Sequence, residues 1–177
     1  MQFIKKLYTL FEKFKLIGAL ISGISIFGMM LLIAMNVIGR NFFGFSITGV
    51  YEITTYYFMP LSAFPALPYV YSSGVLPNMD LLLNSFNKII KKNIIIIVLL
   101  IEFIIFSLAI YYTFHYALNS LIEGRTFVAG LKMFPLYPTF FLVPISFSMI
   151  LIEILFIIIK NFTEKHTSLI WRSRSEL

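Results

Sequence analysis

The sequence predicts an all-α integral membrane protein, with four transmembrane helices, both termini in the cytoplasm and amphipathic helices at the membrane surface. The first observation is composition: 59% of the 177 residues are hydrophobic and 12% are charged, whereas a soluble domain carries about 25% charged residues. The second is the presence of four long apolar runs, and the third is the clustering of lysines beside alternate ends of those runs. Residues 1–177 are expected to form one membrane domain.

Four apolar runs are long enough to cross the ~30 Å hydrocarbon layer, which takes about 20 helical residues. The first covers residues 16–39 and contains no charge. The next three are predicted at residues 52–73, 93–118 and 138–160. These runs define the four predicted spans.

The segments between the spans carry apolar residues at helical spacing. Residues 1–15 and 77–92 alternate such residues with polar ones, so we expect amphipathic helices that lie in the headgroup region. Residues 119–137 form a long outer loop whose apolar content is typical of an interfacial or partner-bound segment. Residues 161–177 are expected to be a polar cytoplasmic tail.

The distribution of Lys and Arg predicts the orientation. Eleven of the 14 lie beside one set of span ends, and three lie on the other side: Arg40, Arg125 and Lys132. The positive-inside rule then places both termini in the cytoplasm. Because the basic residues cluster at span ends, the net charge of +6 indicates orientation in a lipid bilayer rather than binding of nucleic acid.

The second span contains Pro60, Pro65 and Pro68. Each proline lacks an N–H and frees a carbonyl one turn earlier. Such carbonyls could be ion ligands, as in the broken helices of transporters, or neighbouring groups could satisfy them in a kinked helix. The kinked helix is favoured because no acidic residue lies mid-span beside the prolines.

Glu102 in the third span and Glu153 in the fourth are intramembrane carboxyl groups at similar depth, ~11–12 Å from the cytoplasmic boundary at ~1.5 Å per residue. A carboxylate there costs ~2.5–3.5 kcal/mol on insertion scales unless it is protonated or paired. Either the two bind a cation or relay a proton, or each is neutral or hydrogen-bonded to a partner chain. Since no Lys or Arg lies mid-span, we expect any salt-bridge partner to come from another subunit.

No residue pattern indicates an enzyme. The chain has no cysteine and two histidines, and it contains no nucleophile with a base, metal cluster or phosphate-binding loop. His115 is expected in the aromatic belt, and Asn36 is expected to make an interhelical hydrogen bond. We therefore expect no catalytic, substrate-binding or metal-binding residue and no cofactor in this chain. The alternative is a self-sufficient homodimeric transporter that is coupled through Glu102 and Glu153.

One stretch carries a resemblance to a known family. "RNFFGFSITGVYE" places Arg40 at the end of the first span, Phe43 three residues later and Glu52 at the start of the second span. "GVLPNMD" adds Gly74 and Asp80, and "EGRTFVAGLKMFPLYPTFFLVPISF" is similar to a final loop and fourth helix. The chain thereby resembles the DctQ family, the small membrane subunits of tripartite ATP-independent (TRAP) transporters.

The resemblance implies a scaffold role in the bacterial inner membrane. A large multi-helix membrane subunit would hold the sodium and substrate sites. A periplasmic binding protein would deliver an organic acid, such as a carboxylate or sialic acid. Interface residues toward these partners are then Arg40, Phe43, Glu52, Asp80 and Arg125.

Overall fold

The computed structural model describes residues 2–73 and 88–163. The chain is mostly helical, as predicted. Three long helices are α1 (Gln2–Phe42), α5 (Lys88–Ile122) and α6 (Tyr137–Thr163), and each is long and apolar enough to cross a membrane. Residues 50–73, named the segmented helix here, consist of α2 (Val50–Ile53), a π-helical turn (Thr54–Phe58), α3 (Met59–Ala63), a 3₁₀ turn (Phe64–Ala66) and α4 (Leu67–Ser73).

Two predicted boundaries are wrong. Residues 1–15 are not a separate interfacial helix, because α1 runs without a break from residue 2 to residue 42. The predicted outer loop at 119–137 is ordered: α5 continues to Ile122, and β1 (Thr126–Ala129) pairs antiparallel with β2 (Lys132–Pro135). The fold is therefore not purely α-helical. Asp80, most of the predicted interfacial helix at 77–92 and the tail from residue 164 lie outside the described residues.

One stripe of α1 faces the rest of the protein. Its residues are buried or half-buried and follow each other at alternating steps of three and four, the repeat of coiled-coil packing. Most of the other α1 side chains are exposed, although they are largely apolar. The stripe, called the seam here, consists of Tyr8, Phe11, Lys15, Gly18, Ser22, Ser25, Met29, Leu32, Asn36 and Gly39.

Small seam residues let α1 approach the segmented helix closely. A methyl group on Gly18 would collide with the carbonyl oxygen of Pro65. The Ser25 hydroxyl donates to the carbonyl of Phe58 at 3.1 Å. Close backbone contact and hydrogen bonding replace the hydrophobic effect here, as expected for helices that associate in lipid.

The three prolines of the segmented helix do not leave open carbonyls. Each proline frees the carbonyl four residues earlier. The Leu61 carbonyl accepts from the Ser22 hydroxyl at 3.3 Å, and the Tyr56 carbonyl accepts from the Thr139 hydroxyl at 2.9 Å. The Phe64 carbonyl accepts from the Leu67 N–H within the 3₁₀ turn. The prediction of a kinked helix with satisfied carbonyls is confirmed.

The apolar core lies between α5 and α6. Ile95 and Leu99 on α5 pack against Ile150, Ile154 and Ile157 on α6, and all five are 3% exposed or less. The segmented helix packs on α6 and on one side of this core, and α1 packs on the segmented helix. The packing order is therefore α1, segmented helix, α6, α5.

Gly18→Val is expected to lower the free energy of unfolding by about 1–3 kcal/mol, the usual cost of overpacking a close contact. The added side chain meets the Pro65 backbone, which cannot move without shifting the segmented helix. Gly23→Val is the matched control on the same helix, because nothing lies within 4 Å of a Cβ at that position. Thermal unfolding in detergent measures both variants, and equal midpoints would contradict the close approach.

Thr139→Val is expected to cost about 1–2 kcal/mol, because the Tyr56 carbonyl loses its side-chain donor. Thr113→Val is the control, since the Thr113 hydroxyl bonds only to carbonyls of its own helix, those of Ala109 and Ile110. Chemical or thermal unfolding of the two variants gives the difference. A loss of stability in Thr113→Val as large as in Thr139→Val would show that the interhelical bond contributes nothing.

Candidate functional site

A buried ion pair connects the first part of α1 to α6. The Lys15 ammonium donates to Glu153 Oε2 at 2.7 Å, and both side chains are fully buried. The Tyr8 hydroxyl donates to Glu153 Oε1 at 2.8 Å and accepts from Lys15 Nζ at 3.2 Å. Lys15 Nζ also lies 4.7 Å from the centre of the Tyr8 ring. Both carboxylate oxygens of Glu153 are thus satisfied within the chain.

This ion pair corrects the expectation that a salt-bridge partner of Glu153 would come from another subunit. The sequence predicts that Lys15 lies in an amphipathic helix in the headgroup region. In the structure, α1 continues past Lys15, and Lys15 is part of the seam. Phe156 on α6 packs against Tyr8 and Phe11, with ring centres 5.6 and 5.9 Å apart, and holds this end of α1 in place. The seven-residue spacing of Tyr8, Lys15 and Ser22 was the signal for this face in the sequence.

Glu102 has a different environment. Its Oε2 accepts a hydrogen bond of 2.5 Å from the Tyr71 hydroxyl of α4, and the side chain is half-buried. Phe106, one turn further along α5, packs edge-on against the Tyr71 ring at 6.4 Å. Each intramembrane carboxyl group therefore has its own partners: Tyr71 for Glu102, and Tyr8 and Lys15 for Glu153.

The arrangement does not support the coupled homodimeric transporter. A coupling carboxylate has to bind and release a proton or cation, whereas Glu153 is enclosed by Lys15 and Tyr8. Among the described residues, no three His, Cys, Asp or Glu side chains lie together as a metal site.

The β-hairpin is docked on the first turns of the segmented helix. Phe127 is buried, with its ring 4.7 Å from the Tyr56 ring and 5.3 Å from the Tyr57 ring. The Tyr57 hydroxyl donates to the Pro135 carbonyl at 2.5 Å. The two-residue turn has Gly130 at φ 64°, the sign that a type II′ hairpin turn requires at its first position. The hairpin is therefore fixed on one side only.

The opposite side of the hairpin is open and apolar. Val128 is 55% exposed, Met133 74%, and Leu131 at the turn is completely exposed. Lys132 lies between the last two and is also exposed. The predicted apolar surface of the outer loop is confirmed, although its backbone is a hairpin and not a loop.

The predicted interface residue Arg125 connects the hairpin to α5. Gly124 (φ 60°) ends α5, and its N–H bonds to the Leu121 carbonyl while the Arg125 N–H bonds to that of Ser120, which is a Schellman cap. Arg125 Nε donates to Glu123 at 2.6 Å, and Nη1 donates to the Tyr116 hydroxyl at 2.9 Å. The hydrogen bond to Glu123 raises the pKa of the Arg125 guanidinium, so this side chain is charged at any physiological pH.

Arg40, Phe43 and Glu52 lie close to the ends of their helices. Arg40 is exposed in the last turn of α1 and Glu52 is in the first turn of α2, so each charge complements a helix dipole. No ion pair joins these two described residues. Phe43 is 71% exposed. The hydrogen bond of Asn36 is not the interhelical one that was predicted, because its Oδ1 accepts from the Ile47 N–H of the connecting loop at 2.9 Å.

Lys15→Met and Glu153→Leu are each expected to destabilise the chain by about 3–5 kcal/mol, because each leaves a buried charged group without its partner. The double variant Lys15→Met/Glu153→Leu is expected to recover most of that loss, since well-packed apolar residues replace a buried pair at little net cost. Lys13→Met, at an exposed position of the same helix, is the control. A double variant as unstable as the sum of the single variants would refute the direct coupling.

The family model that describes the DctQ component of tripartite ATP-independent periplasmic transporters matches residues 29–164. Lys15 precedes the matched region, whereas Glu102 and Glu153 lie within it. No curated protein and no solved structure matches the chain. The match covers well over half of the 177 residues and confirms the resemblance that the motifs around Arg40 and Glu52 indicated. The chain therefore belongs to the DctQ family, the small membrane component of TRAP transporters.

Proposed function

We propose that this chain is the fixed scaffold of a TRAP transporter in the bacterial inner membrane. It would stand beside the large subunit that carries the sodium and substrate sites. It would also help to dock a periplasmic binding protein that delivers an organic acid, such as a carboxylate or sialic acid. The observation that supports this proposal best is the contrast between a frame of firmly joined helices and the exposed apolar face of the hairpin at one end of the molecule.

Several contacts support a rigid frame. The ion pair of Lys15 and Glu153 joins α1 to α6, and the hydroxyl–carbonyl bonds of Ser22 and Thr139 join both helices to the segmented helix. The proposal includes the segmented helix as the fourth membrane span, because its 24 residues at ~1.5 Å per residue match the hydrocarbon thickness.

The hairpin supports the docking part of the proposal. Its inner face is held by Phe127 and Tyr57, while Leu131 and Met133 are exposed at the end where α1 finishes and α6 begins. We propose that this end faces the periplasm, since α1 begins, α5 begins and α6 ends in basic segments at the opposite end. Arg40, Phe43, Glu52, Asp80 and Arg125 are proposed to contribute to the same partner surfaces.

Reconstitution in vesicles tests the proposal. With a sodium gradient, the large subunit and the binding protein, uptake is expected only when this chain is present, and this chain alone is expected to transport nothing. Robust uptake by vesicles that contain only this chain would refute the scaffold role.

Leu131→Glu is expected to raise the binding-protein concentration needed for half-maximal uptake by about tenfold, the change for loss of a contact of ~1.4 kcal/mol. Because Leu131 is fully exposed, the substitution should leave folding and the yield of the two-subunit complex unchanged. Leu131→Met keeps the apolar surface and serves as the control. An unchanged concentration dependence in Leu131→Glu would remove the hairpin from the docking surface.

A further inference from the structure

The two intramembrane glutamates differ in how many of their carboxylate oxygens accept hydrogen bonds from described residues. Glu153 is fully buried and both of its oxygens accept hydrogen bonds from Tyr8 and Lys15. In the described part of the chain, Glu102 has a single hydrogen-bond donor, Tyr71, and this donor bonds to one oxygen. The other oxygen, Oε1, is not among the fully enclosed atoms. Among the described residues, it accepts no hydrogen bond.

This open oxygen lies at membrane depth. Glu102 lies within the apolar span Lys92–Ile122, and its predicted depth of ~11–12 Å at ~1.5 Å per residue is inside the hydrocarbon layer. Intramembrane carboxyl groups face protein or a water-filled cavity and pair with other polar groups, because exposure to lipid is costly. Ile101 and Ile105, which flank Glu102 on α5, are 51% and 57% exposed. A carboxyl oxygen between them therefore calls for a donor beyond the described residues.

We infer that the exposed face of α5 beside Glu102 is the docking site for a membrane helix of the large subunit, and that this helix places a hydrogen-bond donor, such as Lys or Arg, opposite Glu102. The inference rests on the proposed function, in which such a subunit is the membrane partner. The Glu102 carboxylate indicates that a protein helix, and not lipid, covers this face of α5. Lipid tails can cover isoleucines, but they cannot donate a hydrogen bond to a carboxylate.

Single-cysteine labelling tests this site, because the chain has no cysteine of its own. A nitroxide on Ile105→Cys measures how accessible the surface beside Glu102 is to dissolved oxygen. The matched control is a nitroxide on Ile24→Cys of α1, because Ile24 is 71% exposed. Collision with dissolved oxygen is measured for the chain alone and for its complex with the large subunit in lipid nanodiscs. Oxygen access is expected to fall several-fold at position 105 on complex formation and to stay constant at position 24.

The Glu102 variants test the polar contact. Glu102→Leu is expected to weaken binding of the large subunit roughly 3- to 15-fold, the effect of one interhelical hydrogen bond. Glu102→Gln keeps an acceptor oxygen and is expected to retain most of the affinity. Thermal unfolding of each isolated variant separates weak binding from misfolding, and if Glu102→Leu does not fold, the label at position 105 decides alone.

A wild-type complex in which the label at position 105 stays open would overturn the docking site and leave the proposed function intact. Equal binding by wild type and folded Glu102→Leu would likewise overturn the polar contact. Failure of the wild-type chain to bind any large subunit is a separate result, since it would refute the proposed function itself.

Discussion

The ion pair between Lys15 and Glu153 is the contact on which the placement of α1 depends. A charge at membrane depth has to find a partner within the protein, so this pair sets both the rotation and the height of α1 relative to α6. Once Lys15 is fixed, the seven-residue repeat brings Ser22 opposite Leu61, and one turn earlier Gly18 meets Pro65. Small and polar side chains, which rarely form the core of a soluble protein, form the contact surface of α1 here.

The arrangement of residues is the reverse of that in a soluble bundle. Along α1 the small and polar residues face protein, while Ile24, Phe27 and Met30 are more than 60% exposed. Lipid tails are as apolar as these side chains, so burying them yields no hydrophobic gain, and packing and hydrogen bonds decide which face turns inward. The segmented helix follows the same logic, because its prolines are tolerated where Ser22 and Thr139 donate to the freed carbonyls.

Composition and hydropathy were enough to predict a helical membrane protein, and the motif around Arg40 and Glu52 was enough to predict the family. The continuity of α1 was missed because apolar residues spaced like Phe3, Leu7 and Phe11 fit a lipid headgroup layer and a neighbouring helix equally well. The ion pair was missed because its partners are 138 residues apart and nothing local connects them. The hairpin could have been predicted from the sequence. Gly130 starts a two-residue turn between short segments that contain Phe and Val, which are typical of strands. The single hydrogen bond of Glu102 depends on Tyr71, whose position follows from a helix that a π-helical turn and a 3₁₀ turn interrupt.

The sequence separation of Lys15 and Glu153 also determines how early in synthesis their ion pair can form. At about 5–20 residues per second, a sequence separation of 138 residues takes roughly 7–30 s to be made. The first helix therefore enters the bilayer with its lysine unpaired, and the ammonium group at the basic end of the helix can reach the headgroups during that interval. Closure of the ion pair marks the arrival of the last helix, so the contact that holds α1 is also among the last that the nascent chain can form.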